Sequence, residues 1–84
     1  MKKPPSSLAE AIVVQWEFER ENFHLVCGVR SAPASAYEVA TVPLWDGGHT
    51  AVETFDNPRA ALTRHAAIVS DLREAGWAVA AYTA

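Results

Sequence analysis

The chain holds a single cysteine, Cys27, so it cannot build an internal disulfide. Histidine is nearly as scarce. His24, His49 and His65 stand apart, no two of them at the helical or hairpin spacing of a zinc site, and there is no cysteine pair to join them. A reduced, cytoplasmic setting is the expectation for a chain without disulfides. No apolar run approaches the roughly 20 residues of a membrane-spanning helix. The opening Met1-Lys2-Lys3-Pro4-Pro5-Ser6-Ser7, with the following apolar run broken at Glu10, does not read as a signal peptide. The expectation is therefore no membrane association. The glycines at 28, 47, 48 and 76 are too scattered to cradle a phosphate, and no Gly-x-Ser-x-Gly elbow sharpens a serine. Neither a nucleotide site nor a hydrolase is supported, and no cofactor is expected.

Positive charge is also in short supply where it would matter. The net charge of −3 is unevenly spread. Between Glu17 and Asp56 the acids Glu17, Glu19, Glu21, Glu38, Asp46, Glu53 and Asp56 face only Arg20 and Arg30, while the flanking segments are slightly basic. Neutralising a phosphate backbone requires a basic stripe, so this balance counts against nucleic acid as the main partner.

With 84 residues the chain fits one small domain, near the lower size at which a single core suffices without a metal, disulfides or a partner. Its hydrophobic share is 50%, but much of that is alanine, which buries little area. The usable core rests on the three Trp, three Phe, two Tyr and the branched aliphatics, which favours burial through self-association.

The most legible stretch is the last third. Asp56 or Asn57 can cap a helix, Pro58 suits its first position, and Gly76 stands where a left-handed stop belongs, predicting a helix over about Pro58 to Ala75. Ala61, Leu62, His65, Ile68, Val69 and Leu72 share one stripe of it, and Trp77, Val79 and Ala81 continue as a strand. Upstream, Ile12, Val14, Trp16 and Phe18 alternate with polar residues at a period of two, as do Phe23, Leu25, Cys27 and Val29, which predicts a hairpin of two half-buried strands. A helix over Leu8 to Glu19, entered through the Ser7-Leu8-Ala9-Glu10 capping box, is the competing reading of the first of these. Residues 1–7 read as a disordered or extended tail, since two prolines forbid helix. Tyr37 to Val42 makes a third strand that Pro43 confines to an edge, a bulge or an end, and Thr50 to Phe55 a fourth. Trp45-Asp46-Gly47-Gly48-His49 is expected to form a tight turn between them, because Asp-Gly-Gly accepts positive φ.

The fold expected is α+β: a mostly antiparallel sheet of four to five strands with one C-terminal helix on one face, in the order β-β-β-β-α-β, over a single domain of residues 8–84. No residue set survives as catalytic. His24 and Cys27 are three apart and project to opposite faces of a strand, and Cys27 shares its face with Phe23, Leu25 and Val29, which makes it a buried structural thiol. His65, on the apolar stripe, reads as a core-rim imidazole bonded to a backbone carbonyl, Thr63 or Glu53, with pH sensitivity as the sharper reading. The expected role is a non-catalytic interaction or regulatory module, self-associating as a homodimer or homo-oligomer through a sheet edge or the uncovered face. Arg20, Arg30, Tyr37, Trp45 and His49 form the candidate interaction surface. Single-stranded nucleic-acid binding by the sheet, with Tyr37 and Trp45 stacking and Arg20 and Arg30 on the backbone, is the alternative, and small-ligand binding near Trp45 and His49 a second one.

Overall fold

A computed structural model describes residues 12–83. They form β1 (Ile12–Arg20), β2 (Phe23–Ala32), β3 (Ala36–Pro43), β4 (Ala51–Phe55), α1 (Pro58–Glu74) and β5 (Ala78–Thr83). All strand pairs are antiparallel, in the spatial order β4-β3-β2-β1-β5. The helix lies on one face, against β3, β2 and β4, and touches β5. This is the α+β architecture and element order that the period-two and period-3.6 patterns call for. The capping box at Ser7 to Glu10 and the tail over residues 1–7 lie outside the described residues.

The competing helix over Leu8 to Glu19 gives way to strand throughout the described part. β1 is flanked by β2 on one side and β5 on the other, so both of its edges are hydrogen-bonded, and its β-branched and aromatic residues fit a pleated surface. Trp16 and Phe18 face the helix, and Gln15 and Glu17 face away. Phe18 is 0% exposed and sits with Leu25, Cys27, Val29 and Val39 of the sheet against Ala61, His65 and Val69 of the helix. Burying a side chain of this kind stabilises by roughly 1.5–3 kcal/mol.

Both ends of α1 are built as its sequence implies. Asn57 caps the start, its side-chain oxygen accepting the Ala60 N–H at 2.8 Å, and Pro58 follows where no donor is needed. At the far end Gly76 takes φ 99°, and the N–H groups of Gly76 and Trp77 donate to the carbonyls of Arg73 and Leu72 at 3.1 and 3.0 Å. That reversal returns the chain directly to the sheet as β5.

Two local expectations are corrected. The segment after Pro43 is not a tight glycine turn but a loop over residues 44–50, and neither Gly47 nor Gly48 has positive φ. Its conformation comes from Asp46, whose carboxylate accepts the Gly48 N–H at 3.1 Å and pairs with the His49 ring, around a single 3-10 turn at Gly47–His49. Side-chain capping thus does what positive φ was expected to do. Phe23 has the inward parity of Leu25 and Cys27, yet it is 47% exposed at the first position of β2. Pro43 is the last residue of β3, the strand end that was one of its expected placements; it pairs with Leu25 of β2 and lies past the final β4 pair, Thr41 with Ala51. Among the described residues no helix is long and apolar enough to cross a membrane.

Candidate interaction surface

The face turned away from α1 has no cover among the described residues. Reading across the sheet, one row is Thr83, Gln15, Gly28, Ala40 and Val52, and the next is Ala81, Glu17, Val26 and Val42. Val26, Gly28, Ala40 and Val42 are half-buried and Val52 is exposed, so the middle of the face over β2, β3 and β4 is uncharged. Charge flanks that middle: Glu17 stands on β1 next to Val26, Glu19 is exposed toward the end of β1, and Arg30 and Glu38 lie across β2 and β3. Glu17 and His24 meet at 3.1 Å toward one end, and Arg30 and Glu38 at 2.8 Å toward the other. A shallow depression of about 330 Å³ lies beside Ile12, Gln15, Gly28, Arg30 and Glu38, and its two charged groups are the two that bind each other.

Gly28 sets the floor of this face. A Cβ there would lie 2.7 Å from the Val14 carbonyl oxygen and 3.3 Å from the Gln15 Cα, because β1 carries an extra residue at Val13 and crowds its neighbour. Only glycine permits the two backbones to approach this closely.

The sheet edges are less inviting than the face. In the β1–β5 ladder Glu17 faces Ala81 and Phe18 faces Val79, which leaves Ala80 as an extra residue that bulges β5. β4 at the other edge has only five residues, and its Glu53 is held by Arg64 of α1, with the arginine Nε 3.1 Å from each carboxylate oxygen. Bulges, short strands and charge are the devices that discourage edge pairing.

The five residues singled out in the sequence fall in different places. Arg30 is on the rim of the uncovered face. Tyr37 is on the helix side, half-buried and packed on the core, so its expected exposure is corrected; it sits in register with Phe55. His49 is in the loop, engaged by Asp46. Arg20 and Trp45 come together, with two residues the sequence did not bring forward. Trp45, 52% exposed, lies parallel to Trp77 at 6.0 Å and edge-on to Phe23 at 5.1 Å. The Arg20 guanidinium lies 5.1 Å over the Trp77 ring and donates to the Ala75 carbonyl at 2.8 Å. This aromatic ladder closes the end of the helix–sheet layer, and Arg20 places a cation at the helix C-terminus, where it is favoured. The Gly76-Trp77 helix stop was the available signal for Trp77. For Phe23 there was none, since its parity pointed inward.

Titratable groups in the core are not poised for chemistry. Burial pushes the Cys27 thiol above its ordinary value, outweighing the Thr41 hydroxyl that donates to its sulfur at 3.6 Å. It stays a protonated thiol, not a nucleophile. His65, 5% exposed, donates from Nε2 to the Cys27 carbonyl at 3.2 Å and stands edge-on to Trp16 at 6.1 Å. Burial holds its pKa below the usual imidazole value, and the bond to the carbonyl opposes this to a smaller degree. The unfolded chain therefore binds a proton at His65 more readily than the folded one, so its contribution to stability is complete above the ordinary imidazole pKa and declines as pH falls below it. Urea midpoints measured from pH 7.5 to pH 5 should drop in the wild type and drop less in His65→Leu; parallel profiles for the two would contradict the assignment.

Among the described residues no group of three or more His, Cys, Asp or Glu side chains could hold a metal ion. No family model, curated protein or solved structure matches this chain.

Proposed function

We propose that this protein is a non-catalytic interaction module that docks through the uncovered face of its sheet. The observation that carries the reading is the pattern on that face: an uncharged centre of Val26, Gly28, Ala40, Val42 and Val52, flanked by polar groups that include the Arg30–Glu38 ion pair and the Glu17–His24 contact. An apolar centre with a polar rim is the anatomy of protein-recognition surfaces. Of the two surfaces expected from the sequence, face and edge, the face is favoured because both edges are blunted. The nucleic-acid alternative draws less support. Tyr37 lies on the helix side, Arg30 is bound to Glu38 and Arg20 to Trp77 and Ala75, so stacking rings and free cations do not share a surface.

The reading is tested by comparing what co-purifies from the natural host, an untagged copy of this chain included, with three tagged chains: wild type, Val42→Lys on the face, and Tyr82→Lys, which is 68% exposed on the other side of β5. Circular dichroism checks that each is folded. Val42→Lys should lose a specific partner that Tyr82→Lys retains. Retention by both variants would remove the reading.

A further inference from the structure

We infer that the occupant of the uncovered face is a second copy of this chain, laid face to face across a two-fold axis. The inference rests on the docking reading above and adds the partner.

The first argument is the size of the core. The buried apolar residues of the described chain are Phe18, Leu25, Cys27, Val29, Val39, Ala61 and Val69, and only Phe18 among them is aromatic. All of them lie between the helix and one sheet face. A second sheet packed about 10 Å away would turn the half-buried Val26, Ala40 and Val42 of both copies into a further core layer. Domains of this size gain the most from such a layer.

Area is the second. Five strands about 4.8 Å apart, each contributing about six residues at about 3.3 Å, present a projected face of roughly 450 Å². Two such faces, allowing for side-chain relief, bury somewhat more than about 1,000 Å², which is where specific protein interfaces begin.

Shape and charge then select the copy over a foreign partner. In the row Thr83, Gln15, Gly28, Ala40 and Val52 the face falls to a trough at Gly28 and Ala40, and the exposed Val52 stands higher at one end. A two-fold axis passing between these two levels lays the Val52 of each copy over the Gly28 and Ala40 of the other, the reciprocal fit that an isologous contact requires. Beside the trough Arg30 and Glu38 neutralise each other within their own chain, and Glu17 has a hydrogen-bond partner in His24. A second copy can cover the Arg30–Glu38 pair without leaving either charge unpaired, whereas a strongly charged partner would have to pull it apart. Glu19 lies at the end of β1, exposed, and stays in solvent at the rim.

The test is sedimentation equilibrium of the full chain from low to high micromolar concentration, on wild type, Ala40→Glu, Val52→Lys and Tyr82→Glu. Wild type and Tyr82→Glu should be dimers. Ala40→Glu and Val52→Lys should be folded monomers, with dimerisation weakened by about 100-fold or more for the central substitution; Val52, at the exposed edge strand, supplies the answer if Ala40→Glu does not fold. A wild-type monomer at high micromolar concentration overturns the inference, and so does a dimer that neither face variant weakens. Should the wild type be monomeric while Val42→Lys still loses a host partner, the second copy is the wrong occupant and the docking reading stands; should neither assay respond, both fall.

Discussion

Phe18→Ala should cost about 3–5 kcal/mol of folding stability, the range for removing a large aromatic from a closed core. Phe18 is 0% exposed on β1, in register with Leu25 on one side and Val79 on the other, with the Trp16 ring 6.1 Å away. Neighbours held by ladders on both sides cannot collapse far into the space left behind, so the cavity cost persists. A chain of 84 residues has about 4–13 kcal/mol of stability in total at ordinary values per residue. The variant is thus brought close to its unfolding transition at room temperature, and a urea titration followed by tryptophan fluorescence should show it. Phe23→Ala, the same chemical change on the half-exposed ring at the strand end, should cost clearly less. Equal losses would mean that the placement of β1 between β2 and β5 is wrong.

Gly28→Ala should be the second most damaging small change, at about 1–3 kcal/mol, the usual strain of forcing extra volume into a packed site. Alanine is ordinarily the better strand residue of the two, so propensity alone points the other way. The contact at 2.7 Å is with a backbone carbonyl, which cannot rotate aside as a side chain would, and relief requires β1 and β2 to separate. Gly47→Ala is the control: a Cβ there meets nothing within 4 Å and φ is not positive. Thermal melts should place Gly28→Ala well below wild type and Gly47→Ala near it. A neutral Gly28→Ala would show that the two strands do not approach as closely as described.

Most of the fold was legible because local and global preferences agree in it. The Asn57-Pro58 start and Gly76 stop of α1 are determined by backbone groups a few residues away, and they are found where the sequence places them. The alternations of β1 and β2 likewise need only a single buried face. What could not be read depends on distant neighbours. Nothing local says that β5 sits beside β1, that Phe23 is left half-exposed, or that Tyr37 packs on the core. The loop over residues 44–50 misled because its glycines suggested a mechanism that the Asp46 carboxylate makes unnecessary. The candidate surface divided in the same way. Arg20 and Trp45 were recognised as individual residues, but the uncovered face is assembled from alternate positions on five strands and becomes visible only once their register is known.

The placement of β5 also bears on how the protein is made. A ribosome releases β1 to β4 in order, and each can pair with the strand before it as soon as both have emerged. β1, however, waits for β5, from which it is separated by the rest of the described chain. Throughout that interval one side of β1 offers unpaired amides and carbonyls next to Trp16 and Phe18, the arrangement on which strands of other nascent chains can add. Completion of the helix and arrival of residues 78–83 are therefore what end the aggregation-prone phase of biosynthesis, and a ribosome stalled before that point would hold the chain in its stickiest form.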